Sequence, residues 1–408
     1  MSNRGRMSGN EAVALAIRQI DPDVIAAFPI TPSTEIPQFV SRFKADGLIT
    51  TEFITVESEH SAMSACIGAE ASGVRAMTAT SSAGMALMYE VLYVAASDRL
   101  PIVLAAVNRA LTGPININAE HSDSMGARDS GWIQIYSENA QEAYDNMLMA
   151  HRIGEHPDVM LPVMICQDGF ITSHAIENIL TEDDAPVRAF VGTYEPEHHL
   201  LDPETSVAIG PYGVSPYVFE LKRAQAYAME CARDVIIDVA KDFEKTFGRS
   251  YGFFEEYRMD DAEFAVLLMG SAAGTGKVAV DRLRGRGVKA GLVKLRTFRP
   301  FPADALAAAL SGRSGRGGRD GRGGTLKSLA IMDRSEGFSG FGGPLGAEVR
   351  AALYGRADGL KTINIIYGLG GRDVRVEDFE DLYTELDAMQ GMEARDIPYV
   401  RSLGQREG

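Results

Sequence analysis

Four stretches of the chain carry side chains whose types and spacing could do chemistry. Glu59 lies in TVESEHSAMSACIGAEA, between a β-branched run and a helix-like run of small residues. A carboxyl just past a strand end, against alanines and a methionine, is partly desolvated. That favours its neutral form and suits it to exchanging a proton with a bound heterocycle. The bland alternative is an acid in the first turn of a helix, stabilised by the macrodipole. Glu57 reads as a solvated or paired strand-end residue. Arg109 follows PIVLAAV and can present a bidentate fork to a carboxylate. Its alternative is a structural ion pair with Glu120 or Asp123. Thr31 stands in AAFPITPSTEI, where Pro29 and Pro32 restrict the backbone on both sides of its hydroxyl. The bland reading of that stretch is a capped helix starting at Ser33 or Thr34, with Pro37 in its first turn. TATSSAGMALM, Thr78 to Met88, has a hydroxyl-rich turn that includes Ser82. Its amides and hydroxyls could line a ligand crevice or cap a helix. His121, in the long polar loop after Arg109, is either catalytic or a hydrogen-bonded loop histidine; loops of that length are usually functional.

These residues need a frame. Val24–Phe28, Ile49–Val56, Val74–Thr80, Ile102–Val107 and Val159–Gln167 read as short apolar strands. Glu11–Ile20, Ile36–Ala45, Ser61–Ala71, Gly84–Ala96 and Ala140–Ile153 read as helices between them. Such alternation predicts a parallel sheet covered on both faces, with ligands at the carboxyl ends of its strands. Val218–Phe247 is a long amphipathic helix. GRSYGFFEEYRMDD, residues 248–261, reads as a linker. A second α/β unit follows, beginning with the strand at Phe264 and adding strands at Ala290–Leu295, Leu329–Met332 and Thr362–Tyr367. The expected division is a first domain at 1–247, the linker at 248–261 and a second domain at 262–408. The glycine-arginine run at 311–328 is expected to be a surface loop, and its role is not legible.

The bulk composition excludes several classes. The chain has 408 residues, 45% apolar and 24% charged, the balance of a folded protein of two or three domains. A formal charge of −16 repels nucleic acid and anionic lipid, so neither is an expected partner. No signal peptide and no apolar run of the ~20 residues a membrane span needs is seen. The three cysteines, Cys66, Cys166 and Cys231, are far apart in apolar surroundings and read as buried thiols in a reducing, cytoplasmic compartment. There is no C-x-x-C, and His151 and His156 are split across a helix, so no metal site is expected in this chain. GSAAGTGKV mimics a phosphate loop but fails it: five residues separate Gly270 from Gly276, and Val278 follows Lys277 where a hydroxyl must hold magnesium.

Taken in order, AFPITPSTEI, ESEHSAMSACIGAEASG, TATSSAGM, NRALTGPININAEHSDSMGARDSGWIQIYSEN, LPVMICQDGFITSH, GSAAGTGKVAV, LRTFRPFP and YGLGGRDV make the chain resemble a known family. It is similar to the α chain of the multi-subunit 2-oxoacid:ferredoxin oxidoreductases, most closely pyruvate:ferredoxin oxidoreductase. The resemblance covers nearly all of Asn10 to Val400; the glycine-arginine run looks like an insertion. It implies an α/β fold, a thiamine-diphosphate pyrimidine-binding domain followed by a transketolase C-terminal-like domain. It implies that Glu59 hydrogen-bonds the aminopyrimidine nitrogen, that Pro29 and Ser82 also contact the cofactor, and that Thr31 and Arg109 contact the substrate's carboxylate and keto oxygens. The Gly-Asp-Gly…Asn pattern that grips magnesium and diphosphate is absent from this sequence. The resemblance therefore implies a β subunit carrying Mg2+, diphosphate and a [4Fe-4S] cluster, with γ and ferredoxin-like δ subunits. The implied reaction is oxidative decarboxylation of pyruvate to acetyl-CoA and CO2, with coenzyme A as co-substrate and ferredoxin as acceptor, or its reverse. The alternatives are a branched-chain or aryl 2-oxoacid, or a non-catalytic scaffold subunit.

Overall fold

Two open sheets organise the chain, and the computed structural model describes residues 3–311, 325–357 and 359–406. The first half runs β1 (Asn3–Met7), α1 (Gly9–Ile20), β2 (Val24–Ala27), α2 (Glu35–Ala45), β3 (Glu52–Thr55), α3 (Glu59–Ala71), β4 (Ala76–Thr80), α4 (Ser82–Leu87), α5 (Tyr89–Ser97) and β5 (Val103–Asn108). It continues with α6 (Ser122–Gly126), β6 (Ile133–Ser137), α7 (Ala140–Gly154), β7 (Val163–Asp168), β8 (Glu177–Thr181), α8 (Asp184–Val191) and α9 (Val218–Phe247). The rest holds β9 (Phe254–Tyr257), β10 (Phe264–Leu268), α10 (Ala272–Gly285), β11 (Ala290–Leu295), β12 (Thr297–Arg299), α11 (Ala303–Ser311), β13 (Ser328–Asp333), α12 (Pro344–Leu353), β14 (Lys361–Ile366), α13 (Val376–Ala388) and β15 (Val400–Ser402).

The first sheet has the order β12-β6-β7-β5-β4-β2-β3 and is parallel except for β12. Its central strand alternates between two cores: Val103, Ala105 and Val107 face one, Leu104 and Ala106 the other. That is the expected reason for its nearly continuous apolar sequence. Local signals start its helices. Ser8 and Glu11 form a capping box on α1, Ser58 caps α3 and Asn139 caps α7.

The second sheet has the order β15-β14-β13-β10-β11-β9 and is parallel except for β9. Residues 248–261 contain β9, which extends this sheet. In return β12, from beyond β11, extends the first sheet. One apolar core runs from Leu104 and Met164 of the first sheet to Leu267, Val293 and Ile331 of the second. The buried Lys294 reaches Glu138, Glu142 and Glu255, and Arg296 grips Asn146 at 2.9 and 2.6 Å, so ion pairs and hydrogen bonds join the sheets as well.

The structure corrects the expected elements in places. Gly84–Ala96 is two helices, α4 from Ser82 and α5, meeting at the fully buried Met88. The short strand β6 lies inside a stretch whose polar loop dominates its appearance. Strands β1 and β8, far apart in sequence, form a separate antiparallel pair outside the expected elements. Cys66 and Cys166 are buried free thiols, but Cys231 is only half-buried, on the flank of α9. The core of the glycine-arginine run, 312–324, lies outside the described residues.

Candidate active site

The chain runs outward from β2 to β3 and the opposite way from β4 to β5. The carboxyl ends of β2 and β4 therefore flank the switch point, where open parallel sheets bind ligands. The turn holding Pro29 and Thr31 leaves β2, and Ser81 and Ser82 leave β4. Glu59 follows β3 and Arg109 follows β5, the strands that flank this pair, at the same carboxyl edge.

Glu59 opens α3, but Ser58 does the capping, accepting a hydrogen bond from Ser61 N at 3.2 Å. The Glu59 carboxylate is left over. It is 5% exposed and makes no hydrogen bond or ion pair among the described residues. It packs against Gly84 of α4; a Cβ there would lie 2.7 Å from Glu59 Oε1 and overlap Thr80 Oγ1. Thr80 Oγ1 and Ser81 Oγ are themselves buried without a hydrogen-bond partner. Buried polar atoms are normally paired, and a lone buried carboxylate is costly. This set therefore fits a polar heterocycle that offers a ring nitrogen and an amino group, such as an aminopyrimidine.

The Thr31 turn is braced from below. Ser33 N and Oγ both bond the Ile30 carbonyl, at 2.9 and 2.8 Å. The buried Asn10 of α1 donates to Pro32 O at 2.9 Å and to Glu35 Oε2 at 3.2 Å. α2 consequently begins at Glu35, later than Ser33 or Thr34, and Pro37 sits in its first turn. The Thr31–Pro32 peptide is cis, and Pro29 and Thr31 are exposed.

Arg109 is 7% exposed. Its Nη1 donates to the Thr31 carbonyl and its Nε to the Asn116 carbonyl, both at 2.8 Å. The alternative ion pair, with Glu120 or Asp123, does not form at the guanidinium. Asp123 takes the Arg109 backbone amide at 2.9 Å, and Glu120 takes the amide of Gly370 at 2.8 Å. A buried cation with only carbonyl partners among the described residues favours an anion beside it.

Asp123 ties the strand ends together. It accepts from the amides of Ser82, Arg109 and Ser124 and from Asn108 Nδ2, all within 2.9 Å. Burial raises its pKa, and these hydrogen bonds oppose the rise. Ser82 is fully buried at φ +46°, and its hydroxyl donates to Ala110 O. It braces the strand end that carries Arg109. His121 is a hydrogen-bonded loop histidine: its Nε2 lies 2.7 Å from Asp168 Oδ1. Lys277, the lysine of the phosphate-loop mimic, pairs with Glu138 and Glu255.

Sequence reasoning passed over Asn10 and Asp168. Asn10 carried a signal, a polar residue at the start of an amphipathic helix. Asp168 carried none: its partners His121, Ser271 and Arg334 come from three distant segments.

The site is a covered parallel sheet with an unpartnered buried acid and a carbonyl-bound guanidinium beside its switch point, and the matching family model gives its class as thiamine diphosphate-binding. Residues 15–241 match the family model described as pyruvate flavodoxin/ferredoxin oxidoreductase, thiamine diphosphate-binding, and residues 262–379 match pyruvate:ferredoxin oxidoreductase core domain II. The pyruvate synthase subunit PorA of Thermotoga maritima is 49% identical over 99% of this chain and 98% of its own length. The ketoisovalerate oxidoreductase subunit VorA of Pyrococcus abyssi is 40% identical over 93% of this chain and 92% of its own length. A 2-oxoglutarate:ferredoxin oxidoreductase from Magnetococcus marinus, solved with 2-oxoglutarate, coenzyme A and succinyl-CoA, shares the fold at a TM-score of 0.71 and 20% identity. That likeness covers 94% of this chain and 65% of the larger one. A split-gene transketolase aligns at a TM-score of 0.54 and 12% identity, over 95% of this chain and all of its own. The chain belongs to the pyruvate:ferredoxin oxidoreductase family, as an enzyme subunit of the 2-oxoacid:ferredoxin oxidoreductases.

Proposed function

We propose that this chain is the α subunit of a pyruvate:ferredoxin oxidoreductase and supplies the pyrimidine-activating acid and the substrate carboxylate site. The observation that carries the reading is two buried groups at one sheet edge: the Glu59 carboxylate, without a partner among the described residues, and the Arg109 guanidinium, whose partners there are two backbone carbonyls. Residues 1–247 form the pyrimidine-binding domain in this reading, 248–261 the linker and 262–408 the transketolase C-terminal-like domain.

Glu59 would hold the aminopyrimidine ring of thiamine diphosphate by its ring nitrogen, with Pro29 at the rim and Ser82 bracing the wall. When bound, that cofactor supplies the nucleophilic carbon and the electron sink for decarboxylation. Glu59 shares a proton with the ring nitrogen, which is the role its buried, unpaired carboxylate suits. Arg109 and the Thr31 hydroxyl hold the 2-oxoacid's carboxylate and keto oxygens at the β2 end. The proline-flanked turn keeps that hydroxyl in place without an ordering cost at each turnover. Burial strengthens the Arg109 field by excluding water.

Diphosphate, Mg2+ and the [4Fe-4S] cluster belong in this proposal to a β subunit. Support comes from the missing Gly-Asp-Gly motif and the missing C-x-x-C. Ferredoxin-like δ and γ subunits, coenzyme A as co-substrate and ferredoxin as acceptor complete the assembly, which we assign to the cytoplasm. Pyruvate is the preferred 2-oxoacid; the pyruvate synthase subunits share more sequence with this chain than the ketoisovalerate subunits do. Assay of the co-purified complex across 2-oxoacids tests this. Pyruvate is expected to give the highest kcat/KM, and a higher value for 2-ketoisovalerate would reassign the substrate.

A further inference from the structure

Arg109 is not held by its own sheet alone. Its Nε donates to the Asn116 carbonyl, and the Asn116 side chain donates from Nδ2 to the Gly370 carbonyl at 3.2 Å. The amide of the same glycine donates to Glu120 Oε2 at 2.8 Å. One residue of the turn after β14, Gly370, thus clasps the Arg109 loop at two points. A third tie is His121 N to the Arg334 carbonyl at 2.9 Å. Within the loop, Asn116 Oδ1 accepts from Asn118 N at 2.7 Å, and Asn118 O accepts from Ala110 N at 3.1 Å.

The turn is built for this close approach. Gly370 and Gly371 lie at φ +61° and +78°, where L side chains are strained. A Cβ on Gly370 would lie 2.8 Å from Asn116 Nδ2, and one on Gly371 would overlap Asn118 Cβ. YGLGGRDV carries no obvious reacting group for its glycines to serve, yet its backbone meets the loop that carries the substrate arginine.

We propose that Asn116 and the Gly370 peptide are positioning residues for the 2-oxoacid. Glu59, Thr31, Ser82 and Arg109 all lie on the first sheet, yet the second sheet sets the guanidinium's place through Gly370, Asn116, Arg109 and Thr31. This inference rests on the reading of Arg109 as the carboxylate's partner. The test uses the co-purified complex carrying Asn116→Ala, Asn116→Asp, Gly370→Ala or Arg109→Ala. Asn116→Ala and Gly370→Ala are each expected to raise KM for pyruvate about tenfold or more, with a smaller change in kcat. Their combination should be no worse than the worse single variant. Asn116→Asp keeps the acceptor for Asn118 but loses the donor to Gly370, so it should behave as Asn116→Ala. Amide hydrogen exchange across residues 110–121 should rise in the same variants of the full chain. A wild-type KM in Asn116→Ala, with a raised KM in Arg109→Ala, overturns this inference and leaves the function standing. Unchanged turnover in Arg109→Ala overturns both. Should Gly370→Ala fail to assemble, Asn116→Ala decides alone.

Discussion

Arg109 Nη1 donates to the backbone carbonyl of Thr31 across the sheet edge at 2.8 Å. The bond joins the residue after β5 to the turn after β2, 78 positions earlier. It also spends one of the guanidinium's donors on the protein, leaving Nη2 without a protein partner among the described residues. The arginine is therefore positioned and still able to grip an anion.

Replacing Arg109 tests that division of labour. Arg109→Ala in the assembled complex is expected to lower kcat/KM for pyruvate about a hundredfold or more, with assembly intact. Arg109→Lys keeps the charge but cannot span Thr31 and Asn116 together, so it should recover only part of the loss. Steady-state kinetics with size-exclusion analysis of the complex measures both. Loss within threefold in Arg109→Ala would point to a scaffold role.

Glu59→Gln keeps the shape of the side chain and removes its carboxyl group. Turnover should fall about 10²–10⁴-fold, the range for loss of a proton-sharing group. Stability of the isolated chain should hold or rise, because a buried carboxylate without a partner is removed. Thermal unfolding and turnover together separate this from misfolding, which would lower both.

Two glycines should respond oppositely to alanine. At Gly84 a methyl would press on Glu59 Oε1 and Thr80 Oγ1, so Gly84→Ala should cost about 1–3 kcal/mol. At Gly68, on the exposed side of α3, nothing lies within 4 Å of an added Cβ, so Gly68→Ala should stabilise by about 0.5–1 kcal/mol. Chemical denaturation of the isolated chain gives both values.

Two buried aspartates should give opposite pH dependences. Burial alone would raise the Asp168 pKa, but Arg334, His121 and hydrogen bonds from His121 and Ser271 outweigh it and hold the carboxyl well below its ordinary 3.8. Its contribution is therefore complete above pH 3.8 and is lost as pH falls below that value. Burial pushes Asp333 up to about 6, against the amides of Leu345 and Gly346 and the Asn364 side chain. Folding then favours its protonated form between pH 3.8 and 6, so this group's stability contribution falls as pH rises through that window. The stability advantage of wild type over Asp333→Asn should shrink by up to about 3 kcal/mol from pH 4 to 7. Denaturation at stepped pH tests it, and a constant difference would refute the assignment. Arg334→Ala, which removes the arginine from the buried Asp168 carboxylate and leaves it His121 and Ser271, should cost about 3 kcal/mol at pH 7.

Much of the frame was legible in the sequence. Alternating apolar strands and helices announced a covered parallel sheet, and the residues after four strand ends were the ones to inspect. Less was legible where partners are distant. The Glu59 helix position could not distinguish a first-turn acid from a cofactor ligand; what separates them is that Ser58 already caps the helix and the carboxylate is buried unpaired. The alternative reading of Arg109, an ion pair with Glu120 or Asp123, relied on nearness in sequence. In the fold both acids bond backbone amides, and the guanidinium reaches carbonyls instead.

The sequence by itself determined the sheet type, the capped helices, the family and the chemistry available at each strand end, because those depend on periodicity and local residue types. Only the tertiary structure decided which of those groups lack partners and which ones brace the others. Pairing is a property of segments brought together from 78 to 254 residues apart: Gly370 against Asn116, Arg334 against Asp168, Thr31 against Arg109. No local pattern encodes whether a buried charge will find its counter-charge in the protein or must wait for one from a substrate.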